Sequence, residues 1–275
     1  MGGGLIRDLL LNVTPTTLQS NWYLLTAVVA SLVGMLLAGV FRRLNAVIVA
    51  LDAVVIGLFG AAAAWVGASR KTLERRGDTD FEEINLFPNS HAGYYPGAKP
   101  IAMKVLFRKS NGRLLGAQAV GFDGVDKRIS VLAAYLQMGA TVHDLAQAEL
   151  CYAPQFGSAK DPVNFAGMMA GDVLHGDMPL SHWPTASSGF VLDVRQPPEL
   201  AVEAIAGAVN IPLPELRKRL GELPRDREIH VVCRSGQRAY YATRILLQNG
   251  FKACTVSGGM LSLAHKQLLD VTVER

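Results

Sequence analysis

The sequence predicts a multi-domain chain in three parts: a transmembrane helical hairpin, then an α+β domain, then an α/β domain with a parallel sheet. Three observations carry that prediction. Residues 1–68 are almost free of charge, with only Arg7, Asp8, Arg42, Arg43 and Asp52 ionised. Residues 101–148 read as two strands around a tight turn, followed by two helices. Residues 189–256 alternate short apolar strands with helices, the pattern of a parallel sheet. The boundaries expected from these changes in texture are 1–66, 67–175 and 181–275.

Residues 22–41 form a 20-residue run without charge, closed by Arg42 and Arg43, and residues 44–66 form a second apolar run broken only by Asp52. Each is long enough to cross a hydrocarbon core of about 30 Å as a helix rising about 1.5 Å per residue. Neither shows the polar stripe of a buried helix in a water-soluble fold. The basic residues Arg70, Lys71, Arg75 and Arg76 place the C-terminal side in the cytoplasm by the positive-inside rule. A carboxylate inside lipid is costly, so Asp52 is expected to face a cavity, a partner or an ion path. The opening Met-Gly-Gly-Gly lacks the basic and apolar regions of a signal peptide.

The text GGGLIRD at 2–8 and LDAVVIGLFGAAAA at 51–64 resembles small bacterial membrane proteins related to trimeric intracellular cation channels. That resemblance implies a glycine-interrupted helix lining a cavity in a bacterial inner membrane, with Asp52 as its polar residue.

In the middle part, IAMKVLFR at 101–108 alternates as a half-buried strand, and Ser110-Asn111-Gly112 signals a hairpin. Residues 114–122 supply the returning strand. Residues 127–138 then carry Ile129, Leu132, Ala133 and Leu136 on one helical face, and residues 142–148 follow as another helix. The strings SHAGYYPGAK, GRLLGAQAVGFDGVDKRISVLAAYLQMG and ELCYAPQFGSAKDPVNFAG resemble the dimerisation domain of pyridine nucleotide-disulfide oxidoreductases, and within that family the coenzyme A disulfide and persulfide reductases. The resemblance implies a homodimer and a substrate contact through Tyr95 and Tyr152. It also implies FAD, NAD(P)H and coenzyme A as the parent family's cofactors and substrate. No GxGxxG fingerprint follows a strand in this sequence, so none of these is expected to be bound by this chain alone.

In the last part, CRSGQR at 233–238 lies between an apolar strand and a helix. A loop placed there can curl so that backbone N–H groups and a helix N-terminus face the sulfur of Cys233. Such a nest favours a thiolate and, equally, the terminal sulfur of a persulfide. LDVRQPPE, GAVNIPL, CRSGQRAYYATRILLQNGF and VSGGM follow in order, and together they resemble rhodanese domains. The resemblance implies a sulfurtransferase whose nucleophile is Cys233, in a loop completed by Arg234, Ser235, Gly236, Gln237 and Arg238. Asp193, Arg195 and Glu199 are expected to support that loop by charge pairing. Related phosphatases use a loop one residue longer, so the six-residue loop points to sulfur.

The function expected is rhodanese-type sulfur transfer, with a sulfane-sulfur donor such as coenzyme A persulfide and a thiol acceptor. Two alternatives stand beside it: a non-catalytic dimerisation or assembly module, and a membrane transport subunit with a regulatory cytoplasmic part. A net charge of +4, scattered along the chain, gives no footprint for nucleic acid. Three widely spaced cysteines without a CxxC pair suggest neither a disulfide framework nor a metal site, and Cys151 and Cys254 are expected to be packing thiols.

Overall fold

The computed structural model describes residues 54–264, apart from 59 and 184. Residues 22–41, Arg42, Arg43, Asp52 and the glycine-rich opening, on which most of the membrane reading rests, lie outside the described residues. The remainder of that reading is corrected. In place of a helix through residue 66, β1 (Val54–Leu58) and β2 (Ala61–Gly67) form an antiparallel hairpin. An unbroken apolar run has no period from which helix and strand can be told apart. Here β2 pairs on its other side with β5 (Leu114–Gly121), so that its backbone groups join a ladder, with Ala64 and Val66 in the core and Trp65 facing outward. Among the described residues no helix is long and apolar enough to cross a membrane. The first domain therefore takes in residues 54–66, which the sequence reading assigned to the membrane.

After β2 comes α1 (Arg70–Arg75), capped by Ser69, whose hydroxyl accepts from the Thr72 N–H at 3.2 Å. The chain continues through β3 (Glu82–Leu86) and β4 (Ile101–Phe107) into β5. All pairings are antiparallel, in the order β1-β2-β5-β4-β3. On one face lies α2 (Val125–Gln137), which presents Val125, Ile129, Leu132 and Ala133 to Ala117, Ala119 and Val105 of the sheet. Beyond it lie α3 (Val142–Ala146) and α4 (Pro162–Leu174). The sequence reading did not single out α4, although Asp161, Pro162 and Asn164 make a full start signal. The Asp161 carboxylate accepts from the Val163 N–H, and the Asn164 side chain accepts from the Asp161 N–H. Asp161 is also the buried partner of Arg128, at 2.7 Å.

The second sheet is parallel throughout, in the order β6-β10-β9-β7-β8. Its strands are β6 (Leu180–Ser181), β7 (Phe190–Asp193), β8 (Val209–Asn210), β9 (Ile229–Val232) and β10 (Ala253–Val256). The central strands β9 and β10 are buried at every position, as expected where both faces are covered. On one face α6 (Gln237–Gln248) lays Ala239, Ala242 and Leu246 over Ile229, Val231 and Ala253. Val191, Val232 and Val256 fill the other face beside Ala186 and Trp183. A short helix, α5 (Pro197–Val202), follows β7. Between β8 and β9, where the alternation of strands and helices calls for a helix, the chain forms 3-10 turns at Leu216–Lys218 and Leu220–Glu222. Pro212, Pro214 and Gly221 leave too little uninterrupted chain there for an α-helix.

Polar contacts join the two sheets' domains. The main-chain N–H and side-chain amide of Asn85, on β3, both donate to Ser257 Oγ, at 3.0 and 3.2 Å. His182 Nε2 lies 2.9 Å from Glu82 Oε1, and Arg244 pairs with Asp177. A cavity of about 430 Å³ remains between the domains, lined by Lys104, Gln118, Trp183 and Ser262 among others.

Candidate active site

Cys233 follows the last residue of β9, and α6 begins four residues later. Strand and helix thus fix both ends of the short loop between them. Its sulfur accepts hydrogen bonds from the main-chain N–H groups of Gly236 at 3.2 Å and Ala239 at 3.4 Å. Ala239 lies in the first turn of α6, where N–H groups lack intrahelical partners and the helix dipole is positive. Gly236 caps the helix at φ 101°, a left-handed conformation costly for any side chain. Cys233 itself is only 1% exposed. Arg234 and Gln237 around it are exposed, while Ser235 and Arg238 are half-buried.

The loop is braced from behind by the VSGGM segment. Met260 N–H donates to the Cys233 carbonyl and Leu261 N–H to the Arg234 carbonyl, both at 3.0 Å. Gly259, at φ 55°, passes so near that a Cβ there would stand 2.2 Å from the Cys233 carbonyl oxygen. Gly259→Ala is therefore expected to cost roughly 1–3 kcal/mol or more through backbone strain alone, and to displace the loop. Thermal denaturation should fall together with any sulfur-transfer rate.

Arg238 does not stand as an isolated cation. Its guanidinium donates to both Glu199 oxygens, at 2.6 and 2.7 Å. These hydrogen bonds from Arg238, helped by the Gln196 N–H and by the Arg195 charge, pull the Glu199 carboxyl from 4.5 down to about 2. The Arg238 pKa is raised in turn, first by Glu199 and to a lesser degree by Cys233. Because the folded value of Glu199 lies below the unfolded one, its contribution to stability is complete above pH 4.5 and disappears as pH falls through about 2. Glu199→Gln should therefore lower stability by a constant amount between about pH 5 and 8, with the difference vanishing near pH 2. Urea midpoints recorded across that range check this.

Asp193 and Arg195 form a buried pair beside the loop. Arg195 Nε and Nη2 donate to the Asp193 carboxylate at 3.0 and 2.6 Å, and the Arg195 main-chain N–H adds a bond of 2.9 Å. Arg195 also reaches the Glu203 carbonyl at 2.9 Å. The Asn210 amide donates to the Asp193 and Arg195 carbonyls, at 2.8 and 2.9 Å, closing the turn from β7 into α5. Asp193 pairs in register with Val232, the residue before Cys233. Two clamps result, Asp193 with Arg195 and Glu199 with Arg238, and the Arg195 charge couples them through Glu199.

The tyrosines belong to the first domain. Tyr152 shares a hydrogen bond of 2.9 Å with Tyr94, whereas Tyr95 stands edge-on to His91 at 5.9 Å. The residue brought to Tyr152 is Tyr94, while Tyr95 and Tyr152, the expected substrate contacts, are both exposed. Adjacent residues in this turn point in different directions, and sequence alone does not choose between them. Cys151, expected to pack, is exposed. Cys254 is buried as expected, but its sulfur lies 3.1 Å from His230 Nδ1, and burial pushes its thiol up to about 11.

Residues 56–162 match the pyridine nucleotide-disulphide oxidoreductase dimerisation domain, and residues 180–266 match the rhodanese-like domain. The chain thus carries an α/β dimerisation domain followed by a rhodanese-like domain with a parallel sheet. Residues 1–39 match the glycine transporter family. The coenzyme A disulfide reductase of Staphylococcus epidermidis is 42% identical over 91 residues, which is 33% of this chain and 21% of that protein. Reduced Bacillus anthracis CoADR-RHD superposes with a TM-score of 0.74 at 41% identity, covering 76% of this chain and 38% of that one. A NAD-dependent persulfide reductase from A. fulgidus gives 0.70 at 35% identity, covering 77% and 39%. The chain spans about a fifth of the length of the curated relative.

The dinucleotide cofactors of those reductases do not fit the described residues. The first sheet is antiparallel, and the parallel sheet enters its helices through Val194-Arg195-Gln196, through the Cys233 loop and, after β10, through Ser257-Gly258. None of these turns carries the spaced glycines of the phosphate cradle that a dinucleotide requires.

Proposed function

We propose that this chain is a rhodanese-type sulfurtransferase that carries sulfane sulfur as a persulfide on Cys233. The observation that carries this reading is the pair of main-chain N–H groups, of Gly236 and Ala239, aimed at Cys233 Sγ. Donors fixed in that way stabilise negative charge on sulfur without reorganising. The Cys233 thiolate attacks the sulfane sulfur of a donor. One S–S bond forms as another breaks, and the donor leaves as an anion (sulfite when the donor is thiosulfate). An acceptor thiolate then attacks the terminal sulfur, taking it away as a new persulfide and returning the Cys233 thiolate. No net oxidation occurs. The first-turn N–H groups of Gln237 and Arg238 have no intrahelical carbonyl to serve and are available to the terminal sulfur.

Arg238, held by Glu199, contributes positive field and fixes the helix start. Arg234, Ser235 and Gln237 form the rim that an incoming donor meets. The burial of Cys233 favours a donor whose sulfane sulfur is terminal and unhindered, such as thiosulfate or the persulfide of a thiol like coenzyme A. Similarity to coenzyme A disulfide and persulfide reductases supports the latter. The dimerisation domain suggests a homodimer, and Tyr94, Tyr95 and Tyr152, exposed on the single chain, are its candidate substrate contacts. Membrane attachment through residues 1–53, with these domains in the cytoplasm, is part of the same proposal.

The test is sulfite release from thiosulfate, and thiol release from coenzyme A persulfide, by the full chain with a thiol acceptor present. Transfer from at least one donor is expected. Transfer from neither would contradict the reading, and would leave the dimerisation domain as an assembly module.

A further inference from the structure

Cys254 sits opposite His230 in the β9–β10 register. Alternation along β9 puts Glu228 on the same face as His230. One donor atom from each of Glu228, His230 and Cys254 lies within 4.8 Å of the others, with His230 Nδ1 3.1 Å from the sulfur. His230 and Cys254 are buried and Glu228 is exposed, so the cluster has a dry floor and an open mouth. The mouth is a surface opening of about 560 Å³ lined by Gly189, Asp226 and Glu228 among others.

A second observation points to the same place. Ser181, on β6, is 8% exposed, and its hydroxyl has no hydrogen-bond partner among the described residues. The rest of this sheet face is apolar, built from Val191, Val232 and Val256. A buried hydroxyl without a partner on such a face is costly unless something satisfies it. Gly189 makes room for the ring: a Cβ at that position would stand 2.5 Å from His230 Nε2.

We propose that Glu228, His230 and Cys254 bind a divalent cation of borderline softness, with zinc as the best match. Thiolate, imidazole and carboxylate are zinc's protein ligands, and three of them leave a fourth position for water at the open mouth. Ligation takes the place of the His230–Cys254 hydrogen bond and releases the thiol proton. Tetrahedral zinc would set Sγ and Nδ1 about 3.6 Å apart, so the pair has to open by about half an ångström. The site is distinct from the Cys233 loop. Cys233, just past the end of β9, is three residues from His230, which is about 10 Å along an extended chain.

The experiment is titration of the full chain with cobalt(II), and with zinc against a chromophoric chelator. A single tight equivalent is expected, with a thiolate-to-cobalt charge-transfer band. That band should persist in Cys233→Ser and vanish in Cys254→Ala. Glu228→Gln, at an exposed position that folding tolerates, should weaken zinc by at least the 10–100-fold that an outer partner of a metal ligand is worth. The proposal is overturned if no charge-transfer band forms, or if the band depends on Cys233. It is equally overturned if zinc affinity is unchanged in Glu228→Gln.

Discussion

Cys233→Ser is expected to lower sulfur transfer by roughly 10³-fold or more, while the fold and its melting temperature stay close to those of the parent chain. Serine is nearly isosteric, and its oxygen can accept the same hydrogen bonds from Gly236 and Ala239. What it cannot do is hold a sulfane sulfur. Cys151→Ser should leave transfer unchanged, because Cys151 lies exposed in the first domain. The comparison is made with steady-state rates from the donor that the parent chain uses best. A Cys233→Ser variant that kept its rate would move the chemistry elsewhere in the molecule.

Arg195→Met is expected to destabilise the second domain by about 3–5 kcal/mol, because it strands the buried Asp193 carboxylate without its cation. Asp193 is 1% exposed and Arg195 3%, so water cannot take over. In a unit of this size such a loss corresponds to a melting temperature lower by roughly twenty degrees. Transfer should fail alongside it, since Asp193 lies in register with Val232 at the base of the loop. The double variant Asp193→Leu with Arg195→Met removes both charges and should recover most of the stability. If the single variant lost less than about 1 kcal/mol, the pair would not be the clamp described here.

How much of this was legible beforehand differs between the parts of the chain. In the second domain the punctuation was dense. The Cys233 loop and Gly250 bracket β9 and α6, and β7, β9 and β10 lie within a residue of the strands read in the sequence, whereas β6 and α5 were not read. The pairing of Arg238 with Glu199 was not legible, because it joins residues 39 apart through the meeting of two helix starts. The Glu228, His230 and Cys254 cluster was hidden for the same reason. No ligand spacing marks it in the chain, and only strand pairing assembles it.

The membrane reading went astray at residues 54–66 because alanine and valine without periodicity fit a helix or a central strand equally well. The deciding information lay about fifty residues away, in the partner strand β5. The hydrogen bond between Tyr94 and Tyr152 likewise joins residues 58 apart and leaves no mark in the chain.

The most direct measurement is mass spectrometry of the chain after brief exposure to thiosulfate or coenzyme A persulfide. The peptide carrying Cys233 should gain one sulfur atom and lose it again when the acceptor thiol is added. An added sulfur that appeared only on Cys151 or Cys254, or on no cysteine at all, would contradict the assignment of Cys233 as the carrier.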